Sequence, residues 1–107
     1  MSMKTKNVVT LIKAATITSG AVMFESVTRA AVRLEAAGGD GVVCKDAMRN
    51  LQESCTFIFT AIKQQSGLDP MFLMNSADSG TLTVAQFETL IDNATWIVDD
   101  TYDKAHG

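Results

Sequence analysis

The chain has 107 residues, of which 47% are hydrophobic and 20% are charged. This length suffices for one compact domain with a single core and is too short for two, so residues 1–107 are predicted to form one domain. The formal net charge of −3 is not that of a protein that coats phosphate backbones, which argues against direct nucleic-acid binding and favours a basic protein partner.

The N-terminal segment has some features of a targeting sequence. Lys4 and Lys6 precede an apolar stretch that extends to Phe24, an order typical of signal peptides. Lys13 interrupts this stretch, and the remaining part is shorter than the ~20 apolar residues that a membrane-spanning helix needs. We therefore expect no contact with a membrane and a cytoplasmic location.

The first predicted helix covers residues 5–37, and Gly20 marks either a kink within it or a tight turn that divides it. Most of its apolar residues share one face, but Ile17 and Phe24 project to the other. A helix that is apolar on two sides is buried on two sides, and a second copy of the chain could supply the additional cover. Ile17 and Phe24 are therefore predicted to form the interface of a homo-oligomer, with a dimer as the simplest form.

The second predicted helix covers residues 42–66, and a short helical turn is expected near residues 70–74. Within residues 42–66, apolar side chains recur at alternating steps of four and three, a spacing typical of a packed helical seam: Cys44, Met48, Leu51, Cys55, Ile58 and Ile62. On one continuous helix the two cysteines would lie roughly 16 Å apart, beyond the ~7 Å Cα separation that a disulfide can bridge. Both cysteines are predicted to be free and to serve as small buried apolar residues.

The motifs that could carry chemistry are incomplete. The spacing of residues 75–86 partly matches a calcium-binding loop, but Ala77 and Gln86 stand where ligands are required. The glycine-rich segment 36–41 lacks the ending of a phosphate-binding loop. His106, the only histidine, lies one residue from the end of the chain, where termini are usually frayed. We therefore predict no metal, no cofactor and no catalytic residue, and the chain is not expected to be an enzyme.

The last predicted helix covers residues 83–104, and Thr83 and Gln86 have the spacing of a capping box. Ala94 lies at the centre of the apolar face of this helix. On a wheel of roughly 100° per residue, Trp96 falls about 200° away from Ala94, on the opposite side. The same outward side carries four carboxylates, which are predicted to surround Trp96: Glu88, Asp92, Asp99 and Asp103.

Two interpretations of Trp96 are open. It either packs beneath residues 68–74, whose Met71, Phe72 and Met74 need apolar cover, or anchors a partner protein. In the second case Trp96 and its four carboxylates would bind a basic surface, because tryptophan is enriched at binding hot spots and acidic rims steer basic partners.

The predicted fold is all-α, a small up-down bundle of three main helices. The predicted function is that of a non-enzymatic interaction module, an adaptor or inhibitor that binds a basic partner and could block a nucleic-acid-binding or defence complex. The alternative is a sensory bundle that binds a small ligand in a cavity lined by methionine and aromatic side chains. The residues predicted for that cavity are Met23, Met48, Cys55, Phe57 and Met71.

Overall fold

The regular structure is helical. A computed structural model describes residues 4–20 and 24–106 of the chain, without the side chains of Phe24 and His106. These residues form α1 (Thr5–Ser19), α2 (Phe24–Ala37), α3 (Lys45–Ser54), α4 (Thr56–Ser66), α5 (Pro70–Asp78) and α6 (Val84–His106). The predicted all-α class is confirmed, but the predicted count of three main helices is wrong, because two of the three divide and the short turn is a helix.

The first division occurs at Gly20, where the sequence allowed either a kink or a tight turn. Gly20 has a φ of 77° in the left-handed region and donates its N–H to the carbonyl of Thr16 at 2.7 Å. Residues other than glycine seldom adopt this backbone conformation. The segment predicted as one helix over residues 5–37 therefore forms α1 and α2, and the chain can change direction between them.

The second division occurs at Cys55, which the sequence placed inside a continuous helix over residues 42–66. Its backbone has φ −127° and ψ 39°, outside the helical range. Two hydroxyls flank this point and bond to carbonyls one turn earlier: Ser54 donates to Asn50, and Thr56 donates to Gln52. Such bonds often bend helices. The spacing of the apolar residues is continuous across the division, so the apolar pattern alone predicts one unbroken helix.

The two cysteines are free. The sequence argument for this, their separation along one continuous helix, does not apply. Cys44 lies before α3 and Cys55 lies between α3 and α4, so they do not share one continuous helix. Cys44 is half-buried, whereas Cys55 is buried in the core.

The helices α5 and α6 begin at local capping signals. The Asp69 carboxylate accepts the N–H of Met71 at 2.8 Å, and Pro70 occupies the first helical position. The turn predicted at residues 70–74 therefore extends to Asp78. In α6 the capping box is confirmed, because the Thr83 hydroxyl accepts the N–H of Gln86 at 3.1 Å and the Gln86 side chain accepts that of Thr83 at 3.0 Å.

The core lies between α6 and the helices that pack on its two sides. α6 packs against α1 and α4, while α2 packs against α3. The largest buried side chains come from most of the helices, and they include Leu11, Leu34, Leu51, Ile58, Phe59, Phe87 and Ile91. The rings of Phe59 and Phe87 stack with centroids 6.3 Å apart.

The side chain of Ile17 is partly buried and packs against this core. Its own chain therefore supplies part of the cover that the sequence assigned to a second copy. The side chain of Phe24, the other residue of the predicted oligomer interface, lies outside the described part of the chain.

Candidate protein-interaction surface

Trp96 is 62% exposed on the outward side of α6. Its indole Nε1 donates a hydrogen bond to the side-chain oxygen of Gln65, near the end of α4, at 2.9 Å. This bond restricts the ring while more than half of its surface stays in contact with solvent. The ring is therefore not covered by residues 68–74, and the anchoring of a partner by Trp96 stays a prediction.

Glu88 does not belong to an exposed acidic rim, which corrects the prediction from the helical wheel. Its side chain faces α1 and the residue is only 8% exposed. Its Oε1 accepts the backbone N–H of Lys4 at 3.1 Å and the side-chain amide of Asn7 at 3.1 Å. Glu88 thus joins the start of α1 to α6.

Asp92 and Asp99 also interact with α1 and the residue before it. Lys4 Nζ lies 3.1 Å from Asp92 Oδ2, and Lys6 Nζ lies 3.9 Å from Asp92 Oδ1. Lys13 Nζ lies 3.1 Å from Asp99 Oδ1. The predicted solvent face is therefore narrower than the wheel indicated, because the wheel centred on one apolar face and α6 packs against two helices.

Matching spacings in the sequence indicate these ion pairs once α1 is known to pack against α6. Lys6 and Lys13 are separated by two helical turns, and so are Asp92 and Asp99. The helical-wheel prediction did not use this match between the lysine and aspartate spacings. Asp103, the last of the predicted rim residues, is exposed.

A groove of about 580 Å³ lies between α5 and the first half of α6. Its lining has no charged residue and consists of Leu68, Phe72, Leu73, Ser76, Thr81, Leu82, Gln86, Thr89 and Leu90. Phe72 contributes an exposed ring at its edge, with 57% of its surface accessible. From the sequence alone, Phe72 was considered only as an apolar residue that Trp96 could cover.

The cavity predicted from methionine and aromatic residues does not form as a unit. Met48 and Cys55 are buried in the core, whereas Met71 is 64% exposed. Phe57 is partly buried against the core, and Met23 lies outside the described residues. Of the four predicted residues that the structure describes, none lines the α5–α6 groove.

Trp96 and the groove share one side of α6. Gln65, which binds the indole, precedes the groove residue Leu68 by three positions. Along α6, Thr89 lines the groove and Trp96 lies seven positions further on, which places both on one side of the helix two turns apart. We call Trp96, Phe72 and the groove together the α5–α6 surface.

The groups that could carry chemistry lie elsewhere. Burial raises the pKa of the Cys55 thiol to about 11, and the Ser54 hydroxyl only partly opposes this shift. Asn75 to Asp78 belong to α5, so residues 75–86 do not form a calcium-binding loop. Over residues 4–20 and 24–106, no three His, Cys, Asp or Glu side chains are grouped as metal ligands would be.

No helix in the described part of the chain is long and apolar enough to cross a membrane.

No protein-family model matches the chain, and comparisons with curated proteins and with solved structures found no match.

Proposed function

We propose that the protein is a non-enzymatic interaction module, an adaptor or inhibitor that binds a basic partner protein through the α5–α6 surface. The carrying observation is that Trp96 is 62% exposed yet held by Gln65 beside an apolar groove. Large aromatic side chains are seldom left so exposed. Tryptophan supplies much of the binding energy at protein interfaces, and an indole already restricted by a hydrogen bond loses less entropy on binding.

Fewer carboxylates near Trp96 are available to a basic partner than the sequence predicted. Glu88 is buried, and Asp92 and Asp99 pair with lysines at or near α1. Asp103, two turns after Trp96, is exposed. Asp100, one turn after Trp96, pairs with Lys104 at 3.0 Å, but both side chains are largely exposed. Exposed pairs of this kind contribute little, so a cation of the partner can take the place of Lys104.

The complementary partner therefore has an apolar side chain next to a cationic one. The apolar side chain would enter the groove beside Phe72, and the cation would lie over the Trp96 ring near Asp100 and Asp103. Surfaces that bind nucleic acid are rich in lysine and arginine. A nucleic-acid-binding or defence complex blocked at such a surface is the partner class that we propose.

Retention of proteins from a lysate of the encoding organism tests this proposal when variants are compared. Trp96→Ala and Phe72→Ala should each lose the retained protein, with a cost for Trp96 of about 2 kcal/mol or more, as at interface hot spots. Val32→Ala is the matched control, because Val32 is 58% exposed on α2, away from this surface. Neutralising Asp100 and Asp103 should slow association and reduce its salt dependence.

Three readouts would contradict the proposal. The first is a retained protein that Trp96→Ala and Phe72→Ala bind as well as the wild type does. The second is a retained protein that is acidic. The third is Trp96 fluorescence that is blue-shifted and protected from quenchers in the free protein, since the proposal requires an accessible indole.

The second candidate function is the binding of a small apolar ligand in the α5–α6 groove. Its volume of about 580 Å³ falls within the range of small-molecule sites, roughly 300–1,000 Å³. Native mass spectrometry of the purified protein would show a co-purified ligand, and Leu90→Trp should exclude it by filling the groove. Protein association that weakens steeply with added salt would instead favour the interaction module.

A further inference from the structure

All the arginines of the chain line one cleft. The sequence contains three, Arg29, Arg33 and Arg49. α2 contributes the first two and α3 the third, and the cleft between these helices has a volume of about 410 Å³. Its remaining lining residues are Ser26, Asp46, Asn50, Glu53 and Ser54. The cleft is formed by other helices than the α5–α6 surface and contains no lysine.

The carboxylates of the chain neutralise its lysines more completely than these arginines. Ion pairs with aspartates are made by Lys4, Lys6, Lys13, Lys63 and Lys104. Arg29 Nη2 lies 2.8 Å from Glu25 Oε1, in a pair whose side chains are mostly exposed. Within residues 4–20 and 24–106, no ion pair is formed by Arg33 or Arg49. Three arginines thus share one cleft with two carboxylates, Asp46 and Glu53, which leaves a positive excess that a bound anion would offset.

Arginine side chains favour anions whose oxygens are held in a fixed arrangement, such as phosphate and carboxylate groups. Arginine presents a planar fork of donors that matches phosphate and carboxylate oxygens in pairs, whereas lysine acts as a point charge. The Asn50 side-chain amide and the Ser26 hydroxyl add neutral donors to the same cleft. The Ser54 hydroxyl already donates to the carbonyl of Asn50 at 2.7 Å.

The two carboxylates of the cleft restrict the size of the anion. Asp46 precedes Arg49 by three positions and Glu53 follows it by four, so each lies one helical turn from Arg49 on the same side of α3. A polyanion extended along α3 would meet both carboxylates. A compact anion at Arg49 would lie between them and could also reach the two arginines of α2.

We infer that the cleft between α2 and α3 binds a small molecule carrying a phosphate group, held by Arg29, Arg33 and Arg49. The cleft volume lies within the range of small-molecule sites, roughly 300–1,000 Å³. Phosphate is favoured over a single carboxylate because its charge of about −1.5 to −2 at neutral pH and its three oxygens match several arginines at once.

Titration with inorganic pyrophosphate at physiological salt tests this inference, with binding followed by NMR of the arginine side chains and by calorimetry. We expect saturable shifts of the three arginines. Arg33→Gln and Arg49→Gln should each weaken binding by about tenfold or more, because each removes a charge-assisted contact. Lys45→Gln is the control, since it removes one positive charge at the exposed start of α3 outside the cleft.

The three variants replace exposed side chains, so their helical circular dichroism should match that of the wild type. Absence of saturable binding would overturn the inference, as would an equal loss in Lys45→Gln. Citrate binding as tightly as pyrophosphate would overturn the assignment to phosphate. A phosphoserine peptide or a short single-stranded oligonucleotide that binds more tightly than pyrophosphate would overturn the assignment to a small molecule.

Discussion

Glu88 holds the beginning of α1 against α6 through one carboxylate oxygen. That oxygen accepts from Lys4 N and Asn7 Nδ2, and Asn7 is fully buried. Removing Glu88 would leave these donors without an acceptor inside the protein. A residue that the helical wheel assigned to partner binding therefore stabilises the fold.

We expect Glu88→Ala to lower the free energy of unfolding by about 1–3 kcal/mol, the usual cost of leaving a buried polar group unsatisfied. Glu88→Gln should lose less, because its amide oxygen can still accept. Asp103→Ala, on an exposed part of the same helix, should change stability by no more than ~0.5 kcal/mol. Urea unfolding measures all three, and equal effects of Glu88→Ala and Asp103→Ala would contradict the assigned role.

The two cysteines should differ in reactivity. Cys55 is buried and burial raises the pKa of its thiol to about 11, so at pH 8 its thiolate fraction is on the order of one in a thousand. We expect a thiol reagent to modify Cys44 rapidly and Cys55 only after unfolding, because the thiolate is the reacting species. Cys44→Ser should remove the fast phase, and a fast phase that survives this change would contradict the prediction.

The same pKa predicts how stability depends on alkaline pH. The thiol of Cys55 has a pKa of about 11 in the folded protein, against an ordinary value of 9.0. Above pH 9 the unfolded chain loses this proton first, so the contribution of Cys55 to stability is present below that pH and is lost as the pH rises towards 11. Cys55→Ala should therefore reduce the fall of the unfolding free energy over this range.

At the scale of elements, α6 depends on the capping box formed by Thr83 and Gln86. Each side chain accepts the other's backbone N–H, and the Val84 N–H donates to the Gly41 carbonyl at 2.9 Å. The start of the helix is thereby joined to the segment between α2 and α3. Gly41 is required there because an added Cβ would lie 2.0 Å from the Ala37 carbonyl oxygen.

We expect Thr83→Ala to destabilise the protein by about 1 kcal/mol, since capping threonines contribute on this scale. Thr60→Ala is the control, because Thr60 is an exposed residue within α4 where alanine has the higher helix propensity. In a double-mutant cycle, Thr83→Ala with Gln86→Ala should cost less than the sum of the single changes. Thermal unfolding measures this coupling, and strict additivity would show that the two hydrogen bonds are independent.

At the scale of the whole molecule, α6 joins the two sides of the core by packing against both α1 and α4. The radius of gyration of 12.5 Å is close to the roughly 13 Å expected of a folded chain of this length. Large apolar side chains nevertheless remain exposed at Met71, Phe72 and Trp96, and such residues commonly mark interaction sites.

The homo-oligomer predicted from Ile17 and Phe24 is tested by light scattering at micromolar concentrations. A mass above the 11.5 kDa of one chain is the expected result. Ile17→Ser tests the predicted interface, whereas Phe72→Ala tests whether copies associate through the α5–α6 surface instead. A mass of one chain at every concentration would contradict the oligomer and leave that surface free for another partner.

The sequence by itself determined the helical class and several helix boundaries, because these depend on residues close together in the chain. The apolar period and the Thr83–Gln86 box both involve contacts within about one helical turn. The sequence marked Gly20 as a kink or a turn, and the structure showed that the helix ends there. The outward direction of Trp96 also follows from the helical period. The division at Cys55 did not follow, since the apolar seam is continuous and only the local hydroxyl bonds mark the bend.

Only the tertiary structure decided which charges are available to a partner. Glu88 bonds to residues more than 80 positions away, and Asp92 and Asp99 meet lysines at similar separations. A helical wheel shows the direction of a side chain but not the position of the helix that meets it. The arginine cleft has the same origin: Arg49 joins Arg29 and Arg33 because α3 packs against α2, and the packing of two helices depends on the whole core.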